Sequence, residues 1–481
     1  MSSLQHVFFD SDRRVTLAAV GVLCVAAGLI AGAYVAVLSP VYAIAGALSL
    51  AAGLLMLRDT QWGFAALIGL ICLLPFGALP FKVGFTPTFL DIVLLALYFV
   101  WLARIAAEKA PGFVGSPLGL LVAVFLLLAC ASFVAGLGHA YLDQYVVRHF
   151  AEILLSICLF FVVLNTVQTP GQLRTVVRML ILAGFAAALI GIVLYVLPHA
   201  VSIRLLSALG RVGYPTGAGV LRFVEDDPNL PQRAISTSTD PNVLGGLLIL
   251  ITTLTAAQLF DQKPLLPRAV LAGMVLMECL CLYLTYSRGS MLGLAVGLGV
   301  LAMVRYRRLI PVMVVAALLL LLLPQTQAYV RHLIEGLQQQ DLATQMRLGE
   351  YKDALLLIRR HPWIGVGFVA TPEGSLYIGV SSVYLLMAEE MGLIGLGAFL
   401  LILGVFFWQM RRAWAQMQRS AELAGMMLGL TASVAGMLVG GVLDHYFFNL
   451  SFPHSVAVFW LYLGLAMASA RLGQQAADLP S

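Results

Sequence analysis

The sequence predicts an all-α integral membrane protein, a polytopic helical bundle of about 12–14 transmembrane helices with two long outer loops containing short amphipathic helices. Three observations predict it. Of 481 residues, 61% are hydrophobic and only 11% charged, with a mean hydropathy of +0.96. Soluble domains carry roughly a quarter charged residues, so this chain has less than half the charge that wets a globular surface. Apolar runs of the ~20 residues that cross a bilayer recur from one end to the other. The basic residues between those runs fall mostly in alternate segments, and so on one side of the membrane. Together these features exclude a soluble enzyme, a disordered chain and a nucleic-acid binder.

Residues 1–197 read as an N-terminal transmembrane bundle with spans near 15–38, 41–57, 62–79, 88–103, 117–137, 150–167 and 179–197. The first run is too long for a signal-peptide core and reads as a span, with no cleavable signal. Residues 198–240 form the first long outer loop, which carries Arg204, Arg211, Arg222 and Arg233 with the acidic cluster Glu225-Asp226-Asp227. Residues 241–324 hold central spans near 241–259, 268–286, 289–304 and 308–324. Residues 325–380 form the second outer loop, where Leu348, Tyr351, Leu355 and Ile358 recur at helical spacing. That pattern fits an amphipathic helix on the outer membrane face, or one that merely caps the bundle. Residues 381–481 close the chain with spans near 381–408, 424–443 and 455–470.

Orientation follows from charge. With the N-terminus inside, sixteen Lys and Arg fall in or beside inner segments, against Lys82, Arg148 and Arg288 in short outer ones. Positive residues favour the cytoplasmic side, so both termini are expected there. The nine basic residues of the two long outer loops do not count against this, because long loops translocate regardless of charge. Loops of that length in a compact protein are commonly functional.

Charge inside lipid costs about 2.5–3.5 kcal/mol per residue at mid-span, which makes the acids on spans informative. Asp91 and Glu152 lie near span ends and read as solvated; Glu278 is the deepest and is expected to find a polar partner in the bundle. Scattered single acids argue against a proton or ion pathway. The six cysteines lie in apolar runs without a CxxC pair and read as small core residues. No metal-ligand cluster and no cofactor motif is present in the sequence. Gly293/Gly297 and Gly436/Gly440 are small-xxx-small pairs that suit close helix packing.

The remaining signals gather at outer span ends. Arg233 precedes Asp240-Pro241-Asn242, a helix-start signal. Ser287-Arg288-Gly289 joins two spans with almost no loop, where an arginine can also be a snorkelling anchor. Arg347, Tyr351 and His361-Pro-Trp-Ile-Gly-Val-Gly367 precede a span that runs Tyr384-Leu385, Glu390, Gly392 and Gly395. In this order, from Arg233 to Gly395, these segments resemble the O-antigen ligase/polymerase superfamily of bacterial membrane proteins. The resemblance implies a glycosyltransferase of the cytoplasmic membrane with its active site on the periplasmic or cell-exterior side. Its donor would be a polyprenyl-pyrophosphate-linked oligosaccharide, its acceptor a glycan or lipid-glycan. Membrane lipid would be the other partner, with no nucleic acid and no metal. It places the donor pyrophosphate on Arg233 and Arg288, with Arg347 a third candidate. Guanidinium forks neutralise such a leaving group without a metal, and attack from the opposite face inverts the anomeric carbon.

One departure stands out. Many ligases of the family put His-Asn where this chain has Ser381-Ser382, and that His is their proposed base. A serine hydroxyl does not accept a proton near neutral pH. The candidates to replace it are His445, with Asp444 beside it to orient the imidazole, then His361, and His454 in the last outer loop; or the leaving group suffices without a base. The alternative function is a non-catalytic transporter or flippase of lipid-linked glycans, which would place arginines along a path through the membrane and not only at its outer side.

Overall fold

The computed structural model describes residues 53, 55–79, 86–107, 113–138, 143–322, 342–368, 379–416 and 421–478. The first expected span and most of the second lie outside these residues. Backbone contacts divide the chain into Met1–Trp62 and Gly63–Ser481, and everything below concerns the second unit. Its helices are α1 (Thr60–Leu73, which begins just ahead of it), α2 (Phe89–Ala106), α3 (Pro117–Gly136), α4 (Gln144–Thr166), α5 (Pro170–Val196), α6 (His199–Ala208) and α7 (Pro241–Phe260). They continue as α8 (Arg268–Leu284), α9 (Arg288–Val304), α10 (Leu309–Leu322), α11 (Leu342–Arg360), α12 (Val383–Gln416), α13 (Ala421–Gly440) and α14 (Pro453–Asp478). Eight of the described helices are long and apolar enough to cross a membrane, and the chain is an all-α polytopic membrane protein.

Each of the twelve expected spans that falls on described residues coincides with a helix. Local chemistry sets their starts. Thr88 and Thr169 make capping boxes with Asp91 and Gln172; Asp240 caps α7, accepting from the N–H groups of Asn242 and Val243 ahead of a Pro at the first turn. The centre is built from α7, α13 and α14, whose apolar stretches are 89%, 83% and 94% buried; α2, at 28%, presents most of its surface outward. An all-round apolar helix is buried in protein or faces lipid, and these numbers sort the two cases.

The two glycine pairs meet each other. A Cβ on Gly293 would lie 2.7 Å from the carbonyl oxygen of Gly436, and one on Gly436 would lie 2.6 Å from that of Gly293. Helices α9 and α13 therefore touch backbone to backbone, the contact that small residues permit. Glu278 finds the expected polar partner, accepting from Thr255 Oγ1 at 3.2 Å.

Asp91 and Glu152 differ from expectation. Both are buried, and Arg148 and His149 enclose Glu152 at 2.9 and 2.8 Å, with Arg148 3.9 Å from Asp91. Sequence position near a span end did not reveal that the first turns of α2 and α4 converge there. At the opposite ends of the helices, several arginines counted in the orientation argument close helix termini. Arg471 donates to the carbonyls of Leu164 and Val167, both 2.9 Å, and Arg268 to that of Asp261.

The helix in the second long loop is present as α11, and it packs against the bundle. Ala354 and Leu357 are buried, with Ala354 and Tyr351 in one cluster with Val380, Leu385 and Leu386, whereas Leu355 is 57% exposed. The helix docks on the start of α12, so the rotation that serves this contact decides its buried side. The first loop adds α6 and a two-residue antiparallel ladder, β1 (Arg222–Phe223) with β2 (Gln232–Arg233), in which Arg222 pairs with Arg233.

Candidate active site

The site is assembled from four chain segments at the ends where α7, α9 and α12 begin. Strand β2 delivers Arg233. Its Nε donates to the Thr285 carbonyl at 2.8 Å and a terminal nitrogen to Asn242 Oδ1 at 2.8 Å, while the next residue, Ala234, donates its N–H to Leu284. The arginine is thus clamped between the start of α7 and the α8–α9 junction, three residues before Arg288. Both Arg233 and Arg288 are half-buried. Backbone strain marks the same segments: Ser236, Thr239 and Tyr286 hold φ of 52°, 57° and 55°. For a β-branched residue such as Thr239 this is a true outlier, and each such residue costs of order 1–3 kcal/mol, which surrounding structure must offset.

The last loop locks against these helix starts. Tyr446 is buried over Gly246, where a Cβ would lie 2.2 Å from its ring. The N–H of Val383, opening α12, donates to the carbonyls of both Gly441 and Asp444 at 2.9 Å. These contacts fix Asp444 and His445 beside Asp240. Burial pushes the Asp444 carboxyl up to about 7; Asp240 adds to the rise, while Arg347, the His445 N–H at 3.0 Å and Arg233 draw it back. One carboxylate thus feels the charge of two of the three candidate arginines, Arg233 and Arg347. Burial lowers the His445 imidazole, against Glu350 and Asp240, which raise it, and Arg347, which lowers it further. A neutral ring at physiological pH follows. Its Nδ1 stands 4.0 Å from Asp444 Oδ1 and makes no hydrogen bond among the described residues.

A stability prediction follows from Asp444. A carboxyl raised above its ordinary 3.8 binds its proton more tightly folded than unfolded. Its stabilising contribution is complete below about pH 4 and lost as pH rises through about 7. Thermal unfolding in detergent should therefore show a lower midpoint at pH 8 than at pH 5, and Asp444→Asn should narrow that gap. A gap of unchanged size in the variant would remove Asp444 as its source.

Helix α11 closes the site from above the start of α12. It carries Arg347, Glu350 and Tyr351, spaced so that they share a face. Glu350 Oε2 accepts from Ser381 Oγ at 2.7 Å and Ser381 N at 3.1 Å, and Tyr351 OH donates to the Ser381 carbonyl at 3.4 Å.

Residues 272–400 match the family model described as O-antigen ligase. This stretch is an O-antigen ligase-family domain. The domain contains Arg288, Arg347, Glu350 and Ser381 but neither Arg233 nor the Asp444-His445 pair, so the site is completed by residues outside it. A search of curated proteins returns no match.

Within the domain, His361 follows the last residue of α11 and stands about 20 Å further along the helix axis than Arg347, at 1.5 Å per residue. His454 is the second residue of α14 and not a loop residue. It is buried, with its ring 4.8 Å from that of Phe76 and 6.2 Å from that of Phe452. Of the expected site residues, Arg233, Arg347, Asp444 and His445 come together; Arg288 adjoins them through the Thr285 turn, and His361 and His454 do not join. Glu350 was missed. Its three-residue spacing from Arg347 was the available signal.

Proposed function

We propose that the chain is a metal-independent, inverting glycosyltransferase that moves or polymerises glycan from a polyprenyl-pyrophosphate-linked donor. It works at the outer face of the cytoplasmic membrane. What supports this most is the joint pull of Arg233 and Arg347 on the buried Asp444, beside an O-antigen ligase-family domain that begins α9 with Arg288. In a chain with 11% charged residues, a convergence of cations at one set of helix ends calls for an anionic ligand.

The arginines hold the donor pyrophosphate. As the anomeric C–O bond breaks, negative charge grows on the leaving phosphate, and fixed guanidinium donors stabilise it without reorganising. Arg233 is preorganised for this by Thr285 and Asn242. The acceptor hydroxyl approaches from the other face, where the neutral His445 ring and the Asp444 carboxyl offer hydrogen-bond partners. The polyprenyl chain stays in lipid, and both termini of the protein are cytoplasmic.

Reconstitution with a lipid-pyrophosphate oligosaccharide tests the reading. Longer lipid-linked chains are the product of a polymerase, and glycan on a new acceptor that of a ligase. Unreacted donor moved to the other leaflet would overturn the enzyme reading in favour of transport.

A further inference from the structure

We infer that Glu350 is the general base that takes the proton of the acceptor hydroxyl. The inference rests on the glycosyl-transfer reading above and adds a residue to it. Transfer to a neutral hydroxyl needs a positioned proton acceptor, and a carboxylate fixed by its neighbours is one of the groups that serve. Three features single out Glu350 from the other groups at the site.

The first is orientation. Glu350 Oε2 receives two hydrogen bonds from Ser381, one from the side chain and one from the backbone, and this fixes the carboxylate plane. Oε1 makes no hydrogen bond among the described residues, and Glu350 is only partly buried. It is the oxygen left to receive a proton. His445 lacks such fixing, because its Nδ1 has no bond and Asp444 Oδ1 is instead occupied by the His445 N–H. A histidine base depends on a partner that sets its tautomer.

The second is placement. Glu350 lies one helical turn after Arg347 on α11, so a single rigid element carries a pyrophosphate-binding cation and the base. It is also close enough to His445 to raise that imidazole. The third is the Ser381 position itself. A hydroxyl cannot serve as the base, but it can hold one, and here it holds the Glu350 carboxylate.

The step balances without any further reactant. The acceptor O–H proton passes to Glu350 Oε1 as the oxygen forms its bond to the anomeric carbon. The bond from that carbon to the pyrophosphate oxygen breaks, and its electron pair leaves with polyprenyl pyrophosphate. The protonated carboxyl then returns its proton to water.

The test uses the full-length protein in vesicles with a lipid-pyrophosphate oligosaccharide, comparing wild type with Glu350→Ala and Glu350→Gln. Glycan transfer should fall at least about 100-fold in both, the size of a lost general base. Sodium azide provides the distinguishing readout, because an anionic nucleophile needs no deprotonation. In Glu350→Ala it should give an inverted glycosyl azide at a rate close to that of wild type with azide. Transfer within threefold of wild type would overturn the proposal. Equal loss of transfer and azide reaction would also overturn it, assigning Glu350 a structural part in holding α11. A wild-type protein inert toward the donor would instead overturn the glycosyltransferase reading.

Discussion

Arg233→Ala is expected to lower glycan transfer by roughly 100-fold or more, the cost of removing one preorganised donor from a developing anion. The reason for choosing Arg233 over the other arginines is its clamping. Its bonds to Thr285 and Asn242, both 2.8 Å, fix the guanidinium before any ligand arrives, so its attraction is not spent on ordering a flexible side chain. Arg233→Lys should recover only part of the loss, because an ammonium keeps the charge and loses the planar fork. Asn242→Ala leaves the charge and removes one of the clamps, so a smaller fall is expected. The series is read by transfer from a lipid-pyrophosphate donor, with thermal unfolding of each variant as the folding control. Wild-type turnover in a folded Arg233→Ala protein would remove the pyrophosphate assignment.

The helices were legible because a span in lipid must be apolar for its whole length, and apolar length is a one-dimensional property. The same logic marked the Gly293/Gly297 and Gly436/Gly440 pairs as close-packing positions, but not that the two pairs meet each other. The site was legible only in part. Scarce charge drew attention to the outer arginines, and the family resemblance singled out Arg233, Arg288 and Arg347 among them. The partners that organise them did not, because they come from segments far apart in the chain. Glu350 meets Ser381 across 31 residues, and Val383 is capped by the carbonyls of Gly441 and Asp444. No local pattern encodes such meetings. The burial of Asp91 and Glu152 escaped for the same reason: the position of an acid along its own helix does not report which other helix ends close over it. The apolar stripe of α11 was legible, but not the docking of this helix on the start of α12 through Tyr351 and Ala354, which joins segments about thirty residues apart.

The His-Pro-Trp-Ile-Gly-Val-Gly segment yields the second large expectation, through Gly392. Helix α12 breaks at this residue, which holds φ 68° and ψ −177°, a conformation open essentially to glycine alone. In an unbroken helix Leu393 and Ile394 would donate to the carbonyls of Glu389 and Glu390. Here Leu393 and Ile394 donate instead to Pro362 at 2.7 Å and Trp363 at 3.4 Å, while Val366 and Gly367 donate to Glu389 and Glu390, both at 2.9 Å. The loop is inserted into the helix and satisfies all four groups that the break exposes, as backbone away from water requires. A Cβ on Gly392 would lie 2.3 Å from the Trp363 carbonyl carbon and oxygen and 2.5 Å from the Ile364 nitrogen. Gly392→Ala must therefore expel the loop or strain it, at about 2–6 kcal/mol from positive φ and overpacking combined. The loop follows directly on α11, so Arg347 and Glu350 shift with it, and transfer should be lost together with stability. Gly397→Ala on the same helix is the control, because a Cβ there meets nothing within 4 Å. Thermal unfolding in detergent should show a markedly lower midpoint for Gly392→Ala and an unchanged one for Gly397→Ala. If the two variants unfold alike, the inserted loop is not what holds α11 over the site.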